Sequence, residues 1–263
     1  MAEHNIRFDD GEAYERFMGR WSRVVGAVFL DWLAAPPNAR WLDVGCGTGA
    51  FTRLVVETRS PIAVTAIDPS PSQIDHARRQ PIAQRAEFQV ADAQQLPFPD
   101  GAFDVVASAL VINFIPDRPR ALAEMRRVGC PGGIVAGYVW DFAGERGTAS
   151  PLRHALRQIG VEPPVMPGFE DSRLASLESL FEGAGLDEIA TRTIDIAVAF
   201  ANFDEFWRAQ MPAYNPTTKA IMALPESDHA RFIERLHAML PAGPDGSIAY
   251  SARAHAVKAR VPQ

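Results

Sequence analysis

Apolar side chains in residues 13–33 recur at every third or fourth place: Tyr14, Phe17, Met18, Trp21, Val24, Val25, Val28, Phe29 and Trp32. That spacing lays one apolar stripe along a helix, with Glu12, Glu15, Arg16, Arg20 and Arg23 among the other positions. Pro36 and Pro37 end it, because proline lacks an N–H and restricts the residue before it. The rhythm then changes to short, nearly all-apolar runs at 41–44, 63–67, 88–91, 103–108 and 134–139. Helical stretches fall between them at 48–57, 71–79 and 118–128, the last with Pro119 in its first turn. Strands alternating with helices predict βαβ units on a parallel sheet, and runs apolar on both faces fit a sheet covered by helices on both sides.

Beyond Val139 the alternation breaks. Residues 141–170 hold Gly144, Gly147, Gly160, Pro163, Pro164, Pro167 and Gly168, with one helix predicted at 152–159. A helix at 174–184 is stopped by Gly185, and a strand follows at 189–200. Next come a helix at 204–211, a proline-punctuated turn and a helix at 228–240 with Phe232, Ile233, Leu236, Met239 and Leu240 on one side. The turn PAGPDGS leads into a seventh strand at 248–257. The expected fold is α/β: one domain over 1–263 with a doubly wound, mostly parallel seven-stranded sheet. Residues 12–34 form a helical cover, and 141–170 and 202–240 are cap or lid insertions, since long insertions in compact domains are usually lids or binding loops.

Composition narrows the partners. The chain is 47% hydrophobic and 22% charged, enough apolar material for a sizeable core. It carries 26 basic and 32 acidic residues, a net charge of −6, and no Lys/Arg-rich run. Nucleic-acid binders draw most of their affinity from basic residues facing phosphates, so no nucleic-acid partner is expected. No apolar run reaches membrane-spanning length, and the N-terminus has no apolar leader core, so no membrane partner is expected either. Two cysteines, Cys46 and Cys130, make no disulfide framework, which fits a cytoplasmic protein.

The sharpest chemical signal is Leu42-Asp43-Val44-Gly45-Cys46-Gly47-Thr48-Gly49-Ala50-Phe51, where the first strand turns into a helix. Glycines there allow a tight turn and let a ligand approach the main chain, and the helix that follows offers unpaired N–H groups. The spacing Gly45-x-Gly47-x-x-Ala50 also satisfies the dinucleotide fingerprint, so an NAD(P)-binding oxidoreductase stays open at this point. Asp68 follows the second strand in Ala66-Ile67-Asp68-Pro69-Ser70. A carboxylate there accepts from both hydroxyls of an adenosine ribose, or caps the helix after it. The third strand ends in Val90-Ala91-Asp92-Ala93. The six histidines lie far apart, so no metal site is expected, and there is no G-x-S-x-G elbow.

Taken in order, LDVGCGTGAF, AIDPS, VADAQQLPF, FDVVAS and MRRVGCPGG resemble the class I S-adenosylmethionine (SAM)-dependent methyltransferases. Within them the resemblance is strongest to the ubiquinone/menaquinone-biosynthesis-like small-molecule enzymes, and it covers residues 14–138 well. It implies a Rossmann-like methyltransferase fold, SAM as cofactor and methyl transfer to a small-molecule acceptor, mainly by proximity and alignment. By position, Gly45, Cys46 and Gly47 line the methionine end of SAM, and Asp68 takes the ribose hydroxyls with Pro69 and Ser70 beside the adenine. Asp92 accepts from the adenine amino group while Ala93 packs near the ring. Ser108, Ala109 and Leu110 form the wall below the sulfonium. Tyr14 and Arg20 belong to the segment that closes over SAM, with Arg20 as partner of its carboxylate. The chain departs from its relatives at Asn113-Phe114, where they often carry a histidine, and at Gly129-Cys130-Pro131, where they often read Lys-Pro and a β-turn variant is expected. Asn113 is left to orient the acceptor, and Asp141 is the remaining candidate base. Aromatics of the inserted segments and their borders, above all Trp140, Phe206 and Trp207 with Tyr214 nearby, predict an apolar acceptor pocket. An oxidoreductase would need a hydride partner site that the sequence does not show. A non-catalytic SAM-binding module would share every motif and is separated only by turnover.

Overall fold

A computed structural model describes residues 20–213 and 215–263, with the side chain of Arg20 outside the description. After helix α1 (Arg20–Leu33) the chain alternates β1 (Arg40–Val44), α2 (Ala50–Thr58), β2 (Ala63–Asp68), α3 (Pro71–Arg78) and β3 (Glu87–Val90). It continues through β4 (Phe103–Ala109), α4 (Arg118–Val128) and β5 (Gly129–Trp140). Then follow α5 (Ser150–Gln158), α6 (Leu174–Gly183), β6 (Asp187–Phe200), α7 (Phe203–Gln210), α8 (Pro216–Met222), α9 (Glu226–Met239) and β7 (Ile248–Arg260).

The seven strands lie in the order β3-β2-β1-β4-β5-β7-β6. Strands β1 to β5 pair in parallel, while β7 runs antiparallel to both β5 and β6. Alternate residues of each strand feed opposite layers: Trp41 belongs to the apolar cluster that holds Phe29 and Phe51, whereas Leu42 and Val44 belong to the one that holds Leu122, Met125 and Phe181. The helices between strands start where the sequence supplies a cap. Ser70 accepts from the Gln73 N–H ahead of α3, and Asp117 accepts from the Arg120 N–H ahead of α4. Chain order reverses between β1 and β4, which opens a crevice at the carboxyl ends of those two strands.

Three details differ from the sequence reading. The proline-punctuated turn contains a helix, α8, because Pro216 stands in its first turn, where no N–H is needed, and the Asn215 side chain accepts from the Thr217 N–H. The β-turn expected at Gly129-Cys130-Pro131 lies inside β5: Phe103 pairs with Gly129 and Val105 with Ile134, so the residues between form a bulge. Strand β7 runs on to Arg260. Tyr14 and Tyr214 lie outside the described residues.

Helices α5 and α9 pack on each other, and α7 rests on β6. Phe206, Ile221, Phe232 and Leu236 have no exposed surface and share one apolar cluster with Trp41 and Tyr138 of the sheet. Among the described residues, no helix is long and apolar enough to cross a membrane.

Candidate active site

The crevice opens into a cavity of about 640 Å3. One end is built on the turn after β1. Gly45 adopts φ 80° there, and the Gly45 and Cys46 N–H groups both donate to the Ile67 carbonyl at 2.8 Å, which pins the turn to the end of β2. The Gly47 N–H donates to Asp68 Oδ2 at 3.0 Å, and a side chain at Gly47 would meet nothing within 4 Å. This face of the turn is open, cavity-lining backbone. Asp68 Oδ1 accepts from the Ser70 N–H at 2.9 Å, so the carboxylate is held by two main-chain donors while it faces the cavity. Burial pushes its carboxyl up, and the Ser70 and Gly47 N–H groups oppose that. Asp92 stands at the rim, where its carboxylate accepts from the Gln94 N–H at 2.9 Å and from the Gln94 side-chain amide at 3.0 Å.

Beneath the turn lies Asp43, 2% exposed, with Oδ2 accepting from Thr52 Oγ1 at 2.6 Å and Oδ1 without a hydrogen bond. Burial raises its pKa from 3.8 to about 7, the Thr52 bonds work against this, and the nearby negative Asp68 adds to it. The folded state therefore holds a proton that the unfolded chain has released. The stabilisation is full below pH 3.8 and is lost as pH rises through about 7. The stability of Asp43→Asn relative to the unmodified protein is expected to climb between about pH 4 and about pH 7 and then level off, measured as urea midpoints across that range. A parallel pH dependence in the two proteins would remove Asp43 as its source.

Of the remaining expected cofactor residues, Pro69, Ser70, Ala93 and Leu110 line the cavity. Leu110 does so at φ 64°, an uncommon conformation for a branched side chain, with its N–H donating to the Tyr138 carbonyl at 2.8 Å. Three of the expected residues are placed otherwise. The Cys46 side chain is buried with Sγ 3.7 Å from the Gly47 carbonyl, and the residue does not line the cavity. Ser108 is wholly buried, its Oγ donating to the Val44 carbonyl at 3.0 Å to tie β4 to β1. Ala109 does not line the cavity, and the wall is made by Leu110 and Val111. The roles read for Tyr14 and for the Arg20 side chain fall outside the described residues.

Both residues expected to be catalytic are corrected. Asn113 is 1% exposed, its Nδ2 donating to the Pro167 carbonyl at 3.3 Å while its main-chain carbonyl accepts from Arg118 at 2.9 Å. Asp141 is 5% exposed, with Oδ1 accepting from the Gly144 N–H at 2.7 Å and Oδ2 lying 3.8 Å from His255 Nε2. Neither lines the cavity. They hold the loop after β5 in place. Asn113→Ala and Asp141→Ala are each expected to lower stability by about 1–3 kcal/mol, because buried partners lose an acceptor or donor. Cofactor affinity should stay the same, which calorimetry beside thermal melts checks. A lost affinity with unchanged stability would return either residue to the site.

The acceptor end is also revised. Trp140 lines the cavity, but Phe206 lies in the core and Trp207 stacks on Phe203 with ring centroids 6.0 Å apart. Phe142, one of the expected aromatics of the first inserted segment, lines the cavity as well, beside residues that were not singled out: Glu145, Thr148, Arg153 and Met166 from the first inserted segment, and Asn215 and Thr217 from the second. One signal was available in the sequence. Arg153 falls among Leu152, Ala155 and Leu156 on the buried face of α5, where a charge is out of pattern.

A glycine turn after the first strand, carboxylates after the second and third, and a cavity at the switch point together define a Rossmann-like site for an adenosine-containing cofactor. Residues 42–137 match the family described as a methyltransferase domain. The chain is 40% identical over 113 residues to malonyl-[acyl-carrier protein] O-methyltransferase of Serratia marcescens, covering 43% of each chain. It is 35% identical over 183 residues to 2-methyl-6-phytyl-1,4-hydroquinone methyltransferase of Synechocystis, covering 66% of this chain and 55% of that one. The chain thus spans about half the length of these relatives. In fold it is similar to the YcgJ protein of Bacillus subtilis, with a TM-score of 0.59 and 17% identity over 93% of this chain and 99% of that one. Over residues 42–137 the chain is thus similar to a methyltransferase domain, and its fold is similar to that of YcgJ.

Proposed function

We propose that this protein is a SAM-dependent methyltransferase of the cytoplasm that methylates a small-molecule acceptor, both ligands sharing the one cavity. The observation that carries the reading is the main-chain latch from Gly47 to Asp68, which leaves open glycine backbone and a cavity-facing carboxylate side by side. Gly45 and Gly47 would hold the methionine end of SAM, Asp68 the ribose hydroxyls, Asp92 the adenine amino group, and Pro69, Ser70 and Ala93 the ring. The Asp43 and Asp68 carboxyls, which burial makes reluctant to ionise, favour a cationic ligand, since a positive charge nearby repays their ionisation.

When bound, SAM supplies an electrophilic methyl group, so the hard chemistry belongs to the cofactor. The chain's task is to hold the acceptor in line and exclude water, and such positioning contributes up to roughly 7–11 kcal/mol. Trp140, Phe142, Phe114 and Met166 supply apolar walls for this, and residues 141–170 and 202–240 act as a cap continuous with the core. Among the described residues, the acceptor end includes one carboxylate, Glu145. Burial pushes its carboxyl up, but Arg157, Arg153 and His154 outweigh this and hold it below the usual range, so it is a poor proton acceptor. Alignment is therefore the main source of rate. The test is calorimetry with S-adenosylhomocysteine and NAD, then SAM turnover on a metabolite panel. Tight NAD binding without S-adenosylhomocysteine binding would overturn the cofactor reading, and cofactor binding without turnover on any acceptor would favour a non-catalytic SAM-binding module.

A further inference from the structure

A charged side chain at the acceptor end of the cavity is short of partners. Arg153, on α5, lines the cavity with its side chain 8% exposed. Its Nη1 donates to the Pro164 carbonyl at 2.7 Å, and its Nε lies 3.6 Å from Glu145 Oε1, beyond hydrogen-bonding distance. Among the described residues, Nη2 makes no hydrogen bond, although a guanidinium carries five N–H donors. Glu145 is already engaged by Arg157, with which it makes its closest contact, and it also faces His154 Nε2 at 3.4 Å. A buried cation with unfilled donors is costly unless an anion or acceptor completes it. Burial pulls the Arg153 guanidinium below its ordinary range despite Glu145, as expected of a cation whose neutralisation is incomplete.

Three features say what would complete it. The guanidinium is planar and pairs edge-on with a carboxylate. Among the described residues no other arginine or lysine lines the cavity, while Asp68, Asp92 and Glu145 do, so a dianionic phosphate would bring a second charge that none of them neutralises. Around Arg153 the wall is apolar, through Trp140, Phe142, Phe114 and Met166.

We propose that Arg153 anchors a carboxylate borne by the acceptor, so that the substrates are small, largely apolar carboxylic acids seated with their hydrocarbon or aromatic part against those four residues. This rests on the assignment of the other end of the cavity to SAM. Arg153 is a specificity-determining residue, and a merely structural arginine tying down the Pro164 loop would not discriminate between acid and amide.

The full chain, with and without saturating S-adenosylhomocysteine, is titrated calorimetrically with phenylacetate and hexanoate and with their uncharged amides. The acids are expected to bind about 10–100-fold more tightly than the amides, the range of one charge-assisted hydrogen-bonded contact. Arg153→Gln should bring acid and amide to within about twofold of each other, and Arg153→Lys should keep part of the preference, with S-adenosylhomocysteine affinity unchanged in both. Equal binding of acid and amide to the unmodified protein overturns the proposal. So does absence of acid binding up to about 10 mM, or a preference that survives Arg153→Gln. If Arg153→Gln does not fold, the acid–amide comparison in the unmodified protein and in Arg153→Lys decides. Failure of S-adenosylhomocysteine to bind overturns the cofactor reading instead, and the titrations without it still decide this one.

Discussion

Replacing Asp68 by alanine is expected to weaken SAM and S-adenosylhomocysteine binding by about 2–4 kcal/mol, a loss of roughly 30- to 1000-fold. Two effects add. The variant removes a charged acceptor for two ribose hydroxyls, and it frees the Gly47 and Ser70 N–H groups that the carboxylate now holds at 3.0 and 2.9 Å. Asp68→Asn keeps one acceptor oxygen and should fall between the two. The measurement is calorimetry on proteins whose melting curves show them folded. An affinity unchanged in Asp68→Ala would mean that the adenosine does not lie against β2, and the assignment of the whole nucleotide end would fail with it.

Phe206→Ala is expected to cost about 3–5 kcal/mol of folding stability, the usual range for emptying a large aromatic site in a core. Phe206 has no exposed surface, and its ring lies edge-on to Phe200 of β6, with centroids 5.3 Å apart. The cavity left would therefore open between α7 and the sheet, where neighbours can collapse only partly. Because Phe206 does not line the ligand cavity, S-adenosylhomocysteine affinity of the folded fraction should match that of the unmodified protein. Urea unfolding followed by fluorescence gives the first number and titration the second. A stable variant with impaired acceptor binding would restore Phe206 to the pocket.

Those two residues mark where the sequence was legible and where it was not. Asp68 could be placed because a strand's carboxyl end is a fixed point: once the glycine turn and the βαβ rhythm are seen, the next strand must deliver its last residue to the same edge. Strands β1 to β5 were legible for the same reason, since a buried parallel sheet writes itself as short apolar runs. Phe206 was misplaced because an aromatic on an inserted helix reads identically whether it faces a ligand or the sheet, and only the packing of α7 on β6 separates the two. Asn113 and Asp141 failed differently. Each follows a strand end, as a catalytic residue would, but a bond to the Pro167 carbonyl turns one aside and an Asx-type bond to the Gly144 N–H captures the other. Contacts like these, between segments tens of residues apart or inside an irregular loop, leave no periodic trace. Helix α8 was missed because Pro216 was taken as a breaker where it serves as a start.

The position of β7 bears on how the molecule is assembled. Latest of the seven strands in chain order, it fills the slot between β5 and β6, and among the described residues β6 pairs with no other strand. On a ribosome, β1 to β5 and the glycine turn are complete while residues 248–260 are still to be made, so the nucleotide end of the cavity takes shape early. Until β7 inserts, the flanks of β5 and β6 present unpaired N–H and C=O groups, a template for wrong pairing with other chains. The acceptor end hangs from the helices between those two strands, and it is settled only when that late strand closes the gap.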